Sequence, residues 1–200
     1  MELTSERVKR YARQIVLREV GRGGQEQLMA GCVAIAGNND AAAVARTYLA
    51  ASGVGTIVVA GAPRDVREAL AAVNPDVAVF EIDAIPSGPE VAVAIDASFA
   101  AEWARTALDK CVRTGPWLHL GGAATGGHLR LERGEFVRCA TCSAEASRGA
   151  GSPSLAMALG AAAATLASKI ILGVGHIPFG RVCQFDRFGI PTRDDNGPGA

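Results

Sequence analysis

One stretch restricts the fold of this chain more than any other: Cys32-Val-Ala-Ile-Ala-Gly37, then the alanine-rich Ala41 to Ala51, then Gly53-Val-Gly55 and the β-branched run Thr56-Ile-Val-Val-Ala60. Short apolar runs bounded by glycine read as buried strands, and the alanine-rich stretch between them has the length of a helix. Strand, helix and strand in that order form a βαβ unit. Its strands must run parallel and its crossover right-handed, because a connection of that length does not make a hairpin. The expected class is α/β.

The alternation continues downstream. Arg64 to Val73 has helical periodicity and stops at Asn74-Pro75, where proline disfavours helix for the residue before it. Val77 to Ile82 and Val91 to Ile95 read as strands, Phe99 to Val112 as a helix and Trp117 to Leu120 as a strand. His128 to Leu131 and Glu135 to Val137, on either side of Arg133-Gly134, read as an antiparallel hairpin. Ser143 to Pro153 is small and polar, a loop, and is followed by a long alanine-rich helix and a last strand at Arg181 to Phe185. From Pro191 the chain is Gly, Pro, Asp and Asn and is expected to lack structure. Leu155 to Val174 is apolar enough to be tested as a membrane span, but Lys169 and the many small residues favour a buried helix.

With 49% hydrophobic content, 200 residues bury a real core in one compact unit. Lys+Arg and Asp+Glu both number 20, so no net charge draws the chain to nucleic acid or an anionic membrane, and neither is expected as a partner. Met1 to Arg7 is charged with no apolar segment behind it, which reads as no secretory signal and a cytoplasmic location. Cys32, Cys111, Cys139, Cys142 and Cys183 are odd in number and mostly sit in apolar runs, as suits reduced thiols. Only Cys139 and Cys142 have motif spacing.

Arg10-Tyr-Ala-Arg-Gln-Ile-Val-Leu17, followed by Gly24-Gln-Glu-Gln-Leu28, resembles the opening helix and approach segment of the ThiF/MoeB/HesA family, the ubiquitin-activating-enzyme-like proteins that adenylate sulfur carriers. Ala50 to Thr56 is similar to that family's helix-to-strand junction, and Val73-Asn74-Pro75 to its next turn. Ile95 to Ser98, Gly121 to Gly127, Cys139-Ala-Thr-Cys142, and Ala161 to Gly173 with Gly180-Arg181 and Phe185-Asp186 follow in the order of later landmarks. The resemblance runs from about Arg10 to Phe188. It implies a Rossmann-like, mostly parallel sheet with flanking helices and a C-terminal antiparallel portion. Residues 1–30 would be a dimer-forming helical segment, 31–188 the nucleotide-binding type of domain, and 189–200 a structureless tail. The implied activity is ATP-dependent adenylation of the C-terminal glycine of a ubiquitin-like sulfur carrier.

Measured against that implication, the chemistry is depleted. The family's glycine-rich phosphate loop reads Gly37-Asn38-Asn39-Asp40-Ala41-Ala42 here. Only the first glycine remains, and Asp40 places a carboxylate beside the phosphate position, where two unit charges about 4 Å apart repel by roughly 4 kcal/mol at an effective dielectric near 20. Read locally, Asn39 or Asp40 is an N-cap for the helix beginning near Ala41. The acid that holds the ribose is absent from Val58-Val59-Ala60-Gly61-Ala62-Pro63, and on the order of two dozen residues carrying phosphate-clamping bases are missing after Pro63. Arg64 reads as a solvated residue at a helix start. Aligned on Asp96, Phe99 stands where the family has its catalytic aspartate.

Arg13 matches the arginine that in the family reaches across a dimer to the partner's nucleotide; by itself it reads as a helix arginine kept for packing or an ion pair. Cys139 and Cys142 resemble half of the family's four-thiolate zinc site, with no second pair; Cys183, Cys111, His128 and His119 lack motif spacing. A metal-free remnant, a zinc site with other ligands and a redox pair all remain open for them. No cysteine follows Cys142 to serve as a sulfur-handling nucleophile before Ser154. The expectation is a pseudoenzyme without a resident cofactor, binding ATP and magnesium only if the degenerate loop still holds them. It would act as a homodimer, as a heterodimer that lends Arg13 to an active relative, or as a partner of a sulfur carrier. A third reading is a binder of another small molecule at the strand ends.

Overall fold

The computed structural model describes residues 2–85, 90–99, 101–112, 115–123, 125–134 and 152–192. The N-terminal segment holds three short helices, α1 (Ser5–Arg10), α2 (Ala12–Ile15) and α3 (Gly21–Ala30). The βαβ unit expected from the sequence follows as β1 (Cys32–Ala36), α4 (Asp40–Ser52) and β2 (Thr56–Ala60). Then come α5 (Val66–Val73), β3 (Ala78–Glu81), a 3-10 turn (Ile82–Ala84), β4 (Val93–Asp96), α6 (Glu102–Asp109) and β5 (Pro116–Ala123). The last elements are β6 (Gly126–Arg133), α7 (Pro153–Leu172), β7 (Val182–Asp186) and β8 (Pro191–Thr192).

These strands form one sheet in the order β3-β2-β1-β4-β5-β6-β7-β8. The first five run parallel and the last three pair antiparallel. From β1 the chain first builds outward through β2 to β3, then returns to lay β4 on the other side of β1. The strand order therefore reverses between β1 and β4, and in open α/β sheets ligands bind outside the strand ends at such a point.

Strand alternation gives the two faces different cores. Val33, Ile35, Ile57, Val59, Val93, Ile95, Leu118, Leu120, Leu129 and Leu131 share one cluster with the buried residues of α4 and α7. Cys32, Ala34, Ala36, Val58, Ala60, Ala94 and Trp117 share the other with Ala104 and Leu108 of α6. The second face is built mainly of small residues, which lets α6 lie close to the sheet. On the first face α7 crosses α4 at Gly160, where a Cβ would stand 2.4 Å from the Ala41 carbonyl oxygen. Among the described residues, α7 is the helix long and apolar enough by composition to cross a membrane. Here Leu155, Ala156, Leu159, Gly160, Ala163, Ala164 and Ala167 are buried on it, the core role expected for it.

Two readings of the sequence are corrected. The partner of β6 in a hairpin is β5, joined between Ala123 and Gly126, with β7 on the other side of β6. Glu135 to Val137, expected in that role, lie outside the described residues. Glycines concealed the true hairpin: they carry no strand pattern, yet a Cβ at Gly121 would strike the His128 ring and one at Gly126 would lie 2.3 Å from the Phe185 carbonyl oxygen, so close strand packing requires glycine at both. The start of the expected tail is also structured, since Pro191–Thr192 pair with β7 and the Ile190 carbonyl accepts from the Asp186 N–H at 2.9 Å; residues 193–200 lie outside the described residues.

Candidate functional site

The ends of β1 and β4 meet at Gly37 and Ala97. Gly37 has φ of +137°, and a Cβ there would lie 2.8 Å from the Ala97 carbonyl oxygen, so glycine is required for the backbones to approach. Asn39, in extended conformation, is the N-cap of α4. Its Oδ1 accepts from the Ala42 N–H at 3.0 Å, and its Nδ2 donates to the Ala97 carbonyl at 2.6 Å. Of the two expected caps, Asn39 is therefore the one used. Asp40 is exposed in the first turn of α4, where the helix dipole favours its charge. Asn38 is also exposed.

A residue the sequence reading did not single out lies under this loop. Arg46 is 3% exposed, and its Nη1 donates to the Gly37 carbonyl at 2.9 Å. Burial alone lowers its pKa. Helical side chains lean toward the N-terminus, and Asn39, Ala42 and Arg46 lie on one stripe of α4, where the small Ala42 lets the longer chain pass back to the loop. That spacing is the signal by which the sequence shows it.

At the end of β4, Asp96 is 2% exposed. Its Oδ1 accepts from the N–H and hydroxyl of Ser98, at 2.9 and 2.6 Å, and its Oδ2 lies 3.1 Å from Nδ1 of His119, the residue in register with it on β5. Asp96 thus shapes the turn into α6 and orients a buried imidazole. The alternation Leu118-His119-Leu120 already placed His119 on the opposite face from its neighbours, but its partner becomes visible only through the parallel register. The His128 ring lies over Gly121, with its centroid 6.3 Å from that of His119. Burial first, then His119 and Arg130, push the His128 pKa down to about 4. Phe99, at the position of the family's aspartate, is buried with φ of +57°, the one non-glycine residue at positive φ among the described residues.

At the end of β2, Gly61 has φ of +68°, and a Cβ there would lie 2.4 Å from the Trp103 indole. An acidic side chain at this position would need that indole to move. Arg64 is exposed ahead of α5, as its local reading expected.

Arg13 is exposed on α2. Its neighbour Gln14 donates to the carbonyl of Ala51, at the C-terminal end of α4, whereas the Gly37 to Asp40 loop is at the other end. With 13 residues α4 spans about 20 Å, so the structure does not bring Arg13 and the loop of the same chain together. Cys139 and Cys142 lie outside the described residues. Among the described residues no three His, Cys, Asp or Glu groups gather to hold a metal ion, so Cys111, Cys183, His119 and His128 do not form a ligand set by themselves. Burial and the nearby Cys111 push the Cys32 thiol up to about 11, and burial raises Cys111 as well, which leaves both as unreactive thiols.

The most specific sequence landmarks meet at the C-terminal end of α4, opposite the loop. The Asn74 side chain donates at 2.8 Å both to the Tyr11 hydroxyl and to the Ala50 carbonyl. Gln25 donates to the Ser52 carbonyl at 3.1 Å. Gly53, at φ of +90°, ends α4 against both side chains: a Cβ would stand 2.4 Å from Gln25 Nε2 and 2.8 Å from Tyr11 Cε1. Arg7 and Arg10 both pair with Asp76. These residues hold the N-terminal helices to the ends of α4 and α5.

The architecture is a Rossmann-like α/β fold. It resembles that of the MccB/ThiF-like adenylyltransferases. E. coli MccB solved with ATP superposes at a TM-score of 0.67 with 16% identity, over 88% of this chain and 68% of that one. The same protein with MccA gives 0.68 and 15%, over 92% and 69%. PaaA gives 0.66 and 19%, over 92% and 71%. No family model matches the sequence, and no curated protein does. The likeness establishes the fold.

Proposed function

We propose that this chain is a ThiF/MoeB-like scaffold whose ATP-dependent adenylation is lost or weakened, serving as an interaction partner in a ubiquitin-like or sulfur-carrier system. The observation that carries the reading is a loop that satisfies itself. Asn39 takes up the Ala42 N–H, a donor of the kind that faces phosphate at other helix N-termini, and its amide and the Arg46 guanidinium tie the loop down through the Ala97 and Gly37 carbonyls. Trp103 over Gly61 and the buried Phe99 support it further, since neither offers a group to hold ribose or metal. On this reading no resident cofactor is needed, and the working form is a homodimer or a heterodimer in the cytoplasm. Pyrophosphate exchange with ATP and a carrier ending in Gly-Gly is the test: exchange at background is expected, and robust exchange abolished by Arg13→Ala refutes the reading.

A second reading follows from the exposure of Arg13 on a surface remote from its own loop. There the chain lends Arg13 to an active relative in a heterodimer. Mixing the two raises the relative's adenylation rate, and Arg13→Ala removes the rise; an unchanged rate on mixing ends that reading.

A further inference from the structure

Strand alternation and register put Asp96, His119, Gly121 and His128 on one face of the sheet, opposite Leu118, Leu120 and Leu129. Asp96 is held at both oxygens, Oδ1 by Ser98 and Oδ2 by Nδ1 of His119 at 3.1 Å. A ring that donates from Nδ1 to a carboxylate carries its lone pair on Nε2, the arrangement by which a carboxylate orients a metal-binding imidazole. Gly121 makes room for a second ring. A Cβ there would fall on the Cε1–Nε2 edge of His128, so glycine is what lets His128 reach over β5, the strand of His119, and the two ring centroids lie 6.3 Å apart. The charges nearby suit a cation: Arg130, in register with His119, pairs with Glu132 at 2.6 Å, and with Asp96 that makes two carboxylates to one guanidinium. Burial first, then His119 and Arg130, hold the His128 pKa at about 4, so at neutral pH its ring is in the form that binds metals.

We propose that His119 and His128 together bind one divalent transition-metal ion of the kind imidazole prefers, zinc, copper or nickel, with Asp96 orienting His119 and water filling the remaining positions. The ion enters from the side of His128, which is only partly buried, whereas His119 is 4% exposed. Two protein ligands leave open positions, so the ion exchanges and takes small ligands of its own, unlike one in a closed structural site. Asp96, His119 and His128 belong to β4, β5 and β6, and the ion therefore joins the last parallel strands to the first antiparallel one. The site uses neither the loop at Gly37 nor Cys139 and Cys142, and it stands whether or not the chain adenylates a carrier.

The test is titration of the chelator-treated full chain with Zn2+, followed by calorimetry, and with paramagnetic Co2+, followed by proton NMR. Co2+ is expected to broaden the ring protons of His119 and His128 and to leave sharp those of His176, the third histidine of the chain, which is exposed. The same binding is expected in Cys139→Ser/Cys142→Ser, where no thiolate pair competes. His128→Gln abolishes it, and Asp96→Asn weakens it by about 10- to 100-fold. Should a variant fail to fold, the broadening in the unaltered chain decides the matter. The proposal is overturned if neither ion binds, if the His119 and His128 rings stay sharp, if binding disappears with the two cysteines, or if the affinity is unchanged in His128→Gln or Asp96→Asn.

Discussion

Two glycines end helices in the same left-handed conformation but in different surroundings, and alanine at each separates backbone strain from packing. Gly53 closes α4 at φ of +90° and Gly173 closes α7 at φ of +64°. Alanine at Gly173 meets nothing within 4 Å, so its cost is the conformational one, about 1 kcal/mol after the gain from a stiffer unfolded chain. Alanine at Gly53 pays the same term and also drives its Cβ into Gln25 Nε2 and Tyr11 Cε1 at 2.4 and 2.8 Å. Neither neighbour yields easily: Gln25 is fully buried and bonded to Ser52, and Tyr11 is 1% exposed and bonded to Asn74. Overpacking of that kind adds about 1 to 3 kcal/mol. Gly53→Ala is therefore expected to lose about 2 to 4 kcal/mol and Gly173→Ala about 1, read from urea midpoints at unchanged slope. Equal losses in the two variants would refute the view that this landmark glycine serves the docking of the N-terminal helices.

Gly160→Ala sets helix propensity, which favours alanine by about 1 kcal/mol, against a Cβ forced to 2.4 Å from the Ala41 carbonyl oxygen and 2.9 Å from Val44 Cβ. A net loss of up to about 2 kcal/mol in thermal or urea unfolding is expected, and a gain in stability would show that α7 can move away from α4 freely. His128, held near 4 in the fold against about 6.5 unfolded, binds fewer protons folded than unfolded between those values. Its contribution is whole above pH 6.5 and is lost as the pH falls toward 4; discounted because the ring is only partly buried, it amounts to about 1 to 2 kcal/mol. Urea unfolding at pH 4.5 and 7 checks it, with His128→Gln expected to flatten the difference and an unchanged pH slope counting against the assignment.

Much of the parallel half was legible in the sequence because periodicity and glycine punctuation are local. Cys32 to Ala36, Asp40 to Ser52 and Thr56 to Ala60 lie within a residue or two of where the apolar runs placed them. The antiparallel half was misread because β5 runs on past Leu120 and β6 opens before His128 through Gly121, Gly122, Gly126 and Gly127, glycines that carry no strand pattern yet are ladder positions between β5 and β6. In the candidate site the loop Gly37 to Asp40 and Asp96 were visible as motif remnants. Their companions were not: Arg46 is defined by a backbone carbonyl nine residues earlier, and His119 by a carboxylate 23 residues away across a parallel pair. The i, i+3, i+7 stripe marks the face of α4 that carries Arg46, but no sequence spacing names the carbonyl it bonds or pairs His119 with Asp96. The landmark residues Tyr11, Gln25, Gly53 and Asn74 were legible as a resemblance, but their work is packing at the far end of α4 from the loop.

The hydrogen bond from Asn74 to Tyr11 joins residues 63 positions apart, so the two ends of that contact leave the ribosome at different times. The surface that receives α1 to α3 is built from the ends of α4 and α5, the turn at Asp76 and the end of α7, where Ile171 and Leu172 lie against Gly31 and Gly24. None of it exists while only the N-terminal helices have been made, and helices of four to ten residues are marginal alone in water. The site on which α1 to α3 dock is complete only when α5, the turn at Asp76 and the end of α7 are in place as well as the βαβ unit.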